Sequence, residues 1–574
     1  MKKFFVNTLM VLFALSSMSQ TKWYNPLEAE FPVIQNRGWG DEIENNYQRL
    51  PDRAKDNVRD RVWNLSKNSA GLAIHFYTNA ENIEVRYGVS GSHAMPHMPA
   101  TGRSGVDLYA IDPDGKWNLL TDKYNFSDTV SFTYNDIIDS KYHKRGYEYR
   151  LFLPLYNTVT WMEIGVPETA EFSFVPLLEE KPIVVYGTSI AQGACASRPG
   201  MAWTNILSRK LDLPVINLAY SGNGPLEKEK VDLISELDAS MIIYDCLPNM
   251  GSLTDDEVKK RTAYGVSRIR ENSDVPILIT DHIGYLNDDM IAGRKEISVR
   301  LNNASREVYD SMKLAGVTNI YYLHKDSIDF PADGAVDYIH PNDMGMQVYA
   351  NAYEIMVRDI LNMPIGNLST SKPVSQRREP DIYEWKDRHR QKLEFIKDST
   401  PKKVIIGNSI THYWSGEKGR ENGAESWQKY MEPQGFFNLG FGWDRIENVL
   451  WRVYHGELDG YKAEEVVLMI GTNNIGLNSN EEILEGLQLL LKQIEIRQPS
   501  AEIKVVGILP RRNKEEEVKK LNVLISEMTE GNSWNFLDVS DRLMIDGKID
   551  EYLFTDGLHP NDTGYSLIAP LIVN

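Results

Sequence analysis

Cysteine is almost missing from this chain: Cys195 and Cys246 are the only two in 574 residues. Two cysteines cannot build a disulfide scaffold, and neither sits in a Cys/His cluster with ligand spacing, so metal binding is not expected. Positive charge is also short, with 62 Lys and Arg against 81 Asp and Glu and a formal net charge of −19. Such a surface repels phosphate backbones, which excludes nucleic acid as a partner and argues against polyanionic substrates. Long apolar runs are lacking once the first twenty residues are passed, so no membrane span is expected. Those first residues, MKKFFVNTLMVLFALSSMSQ, set two lysines before a short apolar run and a Ser-x-Ser end. The pattern predicts a signal peptide over 1–20 and a periplasmic or secreted protein. No cysteine follows the run to carry a lipid anchor.

What is present reads as several folded domains, since 574 residues with 42% hydrophobic and 25% charged content exceed one ordinary core. From 21 to 178, short alternating runs such as LAIHFYT and IEVRYGV, with Pro113-Asp114-Gly115 as a hairpin turn, predict an all-β sandwich of jelly-roll type. From 179 to 363 the rhythm changes to apolar runs (IVVYG, MIIYD, PILIT) separated by helical stretches, the mark of a parallel α/β sheet covered on both faces. The same rhythm returns over 381–574 with KVIIG, FFNLG and VVLMIG. Polar, aperiodic residues 364–380 between them read as a linker.

Two strings then gain meaning: VDYIHPND at 336–343 and TDGLHPND at 555–562. Ser189 follows the first strand of one α/β unit and Ser409 the first strand of the other, 220 residues apart (409 − 189). The histidines His340 and His559 are 219 apart, as are Asp337 and Asp556, so the Ser-to-His intervals are 151 and 150 residues. Intervals so alike predict two copies of one domain. Helix capping by Asn342 or Asp343, and by Asn561 or Asp562, explains part of each string. It requires neither the histidine nor the earlier Asp.

Loops at the carboxyl ends of parallel strands form the ligand crevice of such sheets. There a serine can meet an Asp-x-x-His turn, with the histidine as general base and the carboxylate fixing its tautomer. Oxyanion donors are expected from the backbone of Gly222 and the amide of Asn249 in the first unit, and from the backbone of Trp443 and Asn473 in the second. His282 reads as structural. The stretch 222–230 lacks the Gly-Lys-Ser/Thr ending of a phosphate loop.

The blocks GTSI, SGN, PNM and DYIH, with GNSI, GWD, GTNN and DGLH, resemble the four signature blocks of the SGNH (GDSL-type) hydrolases. Gly105, Asp107, Leu108 and Tyr109 are similar to the Gly-x-Asp-Leu-Tyr signature of a β-domain that precedes some of them. NLGFGWDRIENVLWRV is similar to the platelet-activating-factor acetylhydrolase branch. The resemblance implies two flavodoxin-like three-layer αβα domains, ester or thioester hydrolysis, and no metal or cofactor. Thr188 and Asn408 depart from the usual Asp before the nucleophile, and Trp443 from the usual oxyanion Gly. Cys195 and Cys246 both fall on loops at the rim of the first site. A disulfide between them would brace that rim; two buried thiols are the other reading. The expectation is an exported esterase with two Ser/His/Asp sites that removes acetyl groups from a carbohydrate. Lipid or thioester acyl hydrolysis, and glycan binding on decayed hydrolase domains, are the alternatives.

Overall fold

Period-two burial and parallel apolar runs both appear in the computed structural model, which describes residues 20–43, 45–140, 142, 144–378, 383–415 and 421–574. The expected signal peptide lies outside the described residues except for Gln20. Among the described residues no helix is long and apolar enough to cross a membrane.

Two antiparallel sheets form the sandwich. One runs in the order Thr21–Tyr24, Val159–Pro167, Ile83–Val89, Val130–Tyr134, Lys123–Asn125, and the other Phe172–Phe174, Ala73–Thr78, Tyr147–Phe152, Asp107–Ile111, Trp117–Leu120. In Ile83–Val89 the apolar Ile83, Val85 and Tyr87 turn inward to Phe76, Leu108 and Leu151, while Glu84 and Arg86 turn out, as one solvated face requires. A segment within 39–66 leaves this sandwich. Its Trp39, Leu50, Val62 and Trp63 pack instead with Val184, Tyr186 and Ile216 of the first α/β unit, and its Asp60–Ser66 stretch is helical. The all-β reading of this stretch is therefore corrected. Its apolar residues complete an outer layer that the α/β unit lacks.

Each α/β unit is a five-stranded parallel sheet of one topology. The first runs Val215–Asn217, Ile183–Gly187, Met241–Asp245, Ile277–Thr280, Ile320–Leu323; the second runs Phe436–Gly440, Lys403–Gly407, Glu465–Met469, Glu502–Val506, Trp534–Leu537. Alternate side chains enter opposite layers. Ile183 and Val185 face one core and Val184 and Tyr186 the other; Val404 and Ile406 part from Ile405 in the same way. One of these layers is shared. Ile183 and Val185 belong to the same continuous apolar cluster as Val404, Ile406 and Val466, so the two units are fused through a common core.

Within the stretch expected to be a linker, residues 364–374 are largely exposed or half-buried, but its later part is not solvated. Ser371, Ser375, Gln376, Arg377 and Arg378 are buried. Polarity suggested a linker because the partners are equally polar and lie far away in sequence. Arg377 donates to Glu148 of the sandwich (2.9 Å from Nε), Arg150 bridges Glu148 (2.8 Å) and Asp212 of the first unit (2.6 Å), and the Trp451 indole of the second unit donates to Asp212 (3.0 Å).

Burial works to raise the Glu148 carboxyl, but Arg377 and Arg150 overcome it and hold that carboxyl well below its ordinary value. Asp212 is likewise depressed, against burial, by Arg150 and Lys386. Carboxylates depressed in the folded state stabilise fully above their unfolded pKa values, about 4. That contribution is lost as pH falls below this value toward their lower folded ones. Replacing Arg377 with Met leaves Glu148 one cation short and is expected to cost about 3–5 kcal/mol in urea unfolding at pH 7. Glu148→Gln should flatten the loss of stability between about pH 4 and pH 2. An acid slope equal to that of the wild type would show that the junction does not carry it.

Candidate active sites

In each sheet the first strand in sequence, Ile183–Gly187 or Lys403–Gly407, ends in a sharp turn into a helix, with a serine at the first helical position. Ser189 opens Ser189–Gln192, where Thr188 Oγ1 accepts the Ile190 N–H (3.4 Å); Ser409 opens Ser409–Ser415, where Asn408 Oδ1 accepts the Ile410 N–H (2.9 Å). Thr188 and Asn408 thus do the work of an N-cap, which any short oxygen-bearing side chain can supply. The preceding glycines cannot change: a Cβ on Gly407 would lie 2.1 Å from Thr411 Oγ1 and 2.4 Å from the Met469 carbonyl.

A buried asparagine braces each of these helices in the same way. Asn217 Nδ2 donates to the Ala191 carbonyl (2.7 Å) and its Oδ1 accepts Ala219 N–H; Asn438 Nδ2 donates to the Thr411 carbonyl (2.7 Å) and its Oδ1 accepts Gly440 N–H. A buried arginine adds a second brace. Arg49 donates to the Ala219 carbonyl (2.8 Å) and Arg388 to that of Gly440 (3.0 Å). Sequence reading missed all four residues. The asparagines stand 28 and 29 residues after their serines (217 − 189; 438 − 409), and that matched interval was the available signal.

Opposite each serine stands the Asp-x-x-His turn. Ser189 Oγ lies 2.9 Å from His340 Nε2, and His340 Nδ1 lies 2.8 Å from Asp337 Oδ2. The second unit repeats this at 2.8 Å for Ser409 to His559 and 2.7 Å for His559 to Asp556. The other oxygen of each carboxylate takes two backbone amides, those of Ile339 and His340 or of Leu558 and His559. Burial opposes the charge on Asp337, yet the hydrogen bonds from the His340 side chain and the two amides leave its carboxyl below the ordinary value; Asp556 is lowered by the same set against the same burial.

The rest of the repeated string now has a place. Asn342 caps its helix through Met344 and Gly345, and Asn561 through Gly564. Asp343 Oδ1 accepts the Ser197 N–H (2.8 Å), and Asp562 Oδ1 the Ser426 N–H (2.9 Å), each tying the helix to a loop beyond its nucleophile.

The four oxyanion candidates line the same ends of the sheets. Gly222 and Trp443 share a left-handed φ of 65°. Asn249 turns its Oδ1 to the Gly224 N–H (3.0 Å), whereas Asn473 donates from Nδ2 to the Asp444 carbonyl (2.9 Å) and retains its second amide hydrogen. The second loop is gripped from behind. Arg378 donates to the Trp443 carbonyl (2.9 Å), and Gln376 and Tyr383 both donate to that of Gly442 (2.9 Å each). Asp444, wholly buried, accepts Trp385 Nε1 (2.8 Å) and Arg452 Nε (2.8 Å); burial pushes its carboxyl up to about 6 against Arg452.

Cys195 and Cys246 do not pair, which corrects the disulfide alternative: both are free and buried. Cys246 packs with Tyr186 and Leu247 on one face of the sheet and donates to the Tyr186 carbonyl (3.3 Å), while Ala194 and Ala196, flanking Cys195, pack on the other. Burial, with the Asp337 charge, pushes the Cys195 thiol up to about 12. His282 holds a turn by accepting Gly284 N–H at Nδ1 (2.9 Å), and burial lowers it to about 4. A residue that nothing in the sequence marked is His97. This sandwich residue sets its ring 5.9 Å from that of His340, so the sandwich reaches the rim of the first site.

A GDSL-like lipase/acylhydrolase family model matches residues 180–358, and a second of the same description matches 405–567. Residues 21–172 match a model described as the N-terminus of SGNH-hydrolase-type esterases. The α2 subunit of platelet-activating factor acetylhydrolase IB from Rattus norvegicus is 29% identical over 191 residues, covering 32% of this chain and 80% of that protein. The α1 subunit from Bos taurus is also 29% identical, over 32% of this chain and 79% of its own. Among solved structures, a candidate GDSL-like lipase from Bacteroides ovatus ATCC 8483 is 30% identical with a TM-score of 0.55, covering 60% of this chain and 98% of its own.

The asparagine braces generate a prediction. Asn217→Ala or Asn438→Ala strands a buried carbonyl and a buried N–H, and each should cost about 2–4 kcal/mol in urea unfolding. Each should also slow fluorophosphonate labelling of the serine in its own unit and leave the other serine alone. Equal labelling of both serines in either variant would refute the brace.

Proposed function

We propose the following chemistry for this chain, which belongs to the GDSL-like lipase/acylhydrolase family and is a carboxylic ester hydrolase: each α/β unit carries its own serine esterase site, and the exported protein uses both to remove O-acetyl groups from a polysaccharide or oligosaccharide. The observation that carries the reading is the Ser–His–Asp alignment found twice, 2.9 and 2.8 Å in the first unit and 2.8 and 2.7 Å in the second.

In each site the serine O–H donates to His Nε2, and as Oγ attacks the ester carbonyl the proton passes to that nitrogen. The Asp, kept ionised by its hydrogen bonds, holds the Nδ1–H and stabilises the imidazolium. The carbonyl oxygen, now charged, is met by the Gly222 N–H and Asn249 amide, or by the Trp443 N–H and Asn473 amide. Collapse breaks the bond to the sugar oxygen, which takes the proton from His Nε2. Water then gives its proton to the same nitrogen, attacks the acyl-serine and releases the carboxylic acid with the serine restored. No step calls for a metal or cofactor.

Acetyl as the acyl group is supported by the likeness to subunits of an enzyme named for acetyl hydrolysis. A carbohydrate alcohol is supported by the net charge of −19, which disfavours polyanionic substrates, and by the signal-peptide pattern of 1–20, which favours export. Lipid or thioester acyl hydrolysis is the second enzymatic reading. Glycan binding on decayed domains conflicts with two complete residue sets.

Acetate release from a panel of acetylated polysaccharides tests the proposal. Ser189→Ala and Ser409→Ala should each lose part of the release and the double variant all of it. Asp337→Asn or Asp556→Asn should lower kcat of its own site about 10³–10⁴-fold. Release unaffected in the double serine variant, or octanoyl esters cleaved faster than acetyl esters, would overturn the assignment.

A further inference from the structure

The two sites differ sharply at one equivalent position. Gly222 and Trp443 each stand five residues past the braced asparagine of their unit and share a φ of 65°. A Cβ built on Gly222 meets nothing within 4 Å, so the first site is open where the second carries an indole. Glycine occupies left-handed backbone without a Cβ penalty, whereas an aromatic residue is strained there.

Such strain persists only where neighbouring structure imposes it. Here Arg378, Gln376, Tyr383 and the buried Asp444 fix the loop on every side. The indole takes no part in that fixing. It is 46% exposed, and among the described residues it stacks on no other ring and donates no hydrogen bond from its Nε1. Its contribution therefore lies outward, where substrate arrives.

We infer that Trp443 is a specificity-determining residue that limits the second site to short acyl groups, while the first site, open at Gly222, accepts longer ones. The inference rests on the reading of both units as serine esterases. A carbonyl carbon at Ser409 presents three substituents: the oxygen, held at the Trp443 N–H; the leaving oxygen, which must face His559 Nε2; and the acyl chain. The ring that lines the His559 side is Tyr413, 5.1 Å away. An indole growing from the oxyanion donor itself, and touching neither of those rings, borders the acyl chain. The second site then takes acetyl and comparably short esters, and the first also takes medium-chain esters.

Reciprocal substitution tests this with p-nitrophenyl acetate and octanoate. In a Ser189→Ala background, which reports the second site, Trp443→Gly should raise the octanoate-to-acetate ratio of kcat/KM about tenfold or more. In a Ser409→Ala background, Gly222→Trp should lower that ratio by a similar factor. Fluorophosphonate labelling is followed in the same samples. Labelled Ser409 with the Trp443→Gly ratio within about twofold of its parent overturns the acyl wall and leaves the esterase reading standing. Failure of Ser409 to label in the Ser189→Ala parent overturns both. Trp443→Gly restores the residue that this backbone favours, so its result does not depend on whether Gly222→Trp folds.

Discussion

The carboxylate of Asp212 is where the three parts of this chain are held to one another. It is buried, it accepts Arg150 of the sandwich and the Trp451 indole of the second α/β unit, and it belongs to the first unit itself. An ion in this position has lost its water, and only hydrogen-bonded partners of opposite charge make that tolerable. Those partners come from far along the sequence and are fixed only when all three parts dock. Around this point the two units share the apolar layer of Val185 and Val404, and the buried charges of the junction interact more strongly than they would in water. The relative placement of the domains is therefore set by chemistry that cannot slide.

Docking reaches both candidate sites. From the sandwich, His97 stands beside His340, and Asp114 in the hairpin turn accepts Arg378 (2.7 Å), the residue that holds the Trp443 carbonyl. The sandwich is therefore a wall to one site and a support to the loop of the other. Duplication set the two units on the same backbone plan: the Asn braces, the Asp-x-x-His turns and the Asn and Asp that follow make matching bonds in each, while the arginine behind the first brace, Arg49, comes from the N-terminal region and that behind the second, Arg388, from the second unit itself. Differences gather in the rims instead. A brace exchanged for another side chain leaves buried polar groups unpaired, whereas a rim residue faces water and can vary without that penalty.

Much of this was legible in sequence because it is local or periodic. Apolar runs of four to seven residues between helical stretches mark both parallel sheets, and matched Ser-to-His intervals pick out the two Ser–His pairs that the fold brings within 2.9 Å. What stayed hidden depends on contacts between distant positions. Trp39, Leu50 and Trp63 read as sandwich residues because nothing near them says that the adjoining α/β unit lacks an outer layer. Gln376, Arg377 and Arg378 read as linker because polar side chains usually face water, and their buried partners Glu148, Asp114 and Gly442 lie elsewhere in the chain. Cys195 and Cys246 sit close to the site in sequence, yet one lies in the turn after Ser189–Gln192 and the other just past Met241–Asp245, and both thiols are free and buried.

The same logic explains why an apparent tandem array behaves as one body. Were the units independent, Trp451, Phe441 and Trp385 would need a covering layer of their own. Arg452 finds its charge partners Asp444 and Glu457 inside its own unit and sits fully buried between them, beneath rings of which Trp451 is bonded across the junction to Asp212. Asp444 is the neighbour of Trp443, so the loop that carries the second site's candidate oxyanion donor is anchored beside the interface. A second unit cut away from the sandwich would expose that anchor to water and weaken every interaction holding the strained Trp443 backbone. Its site would lose its shape before its sheet lost its order.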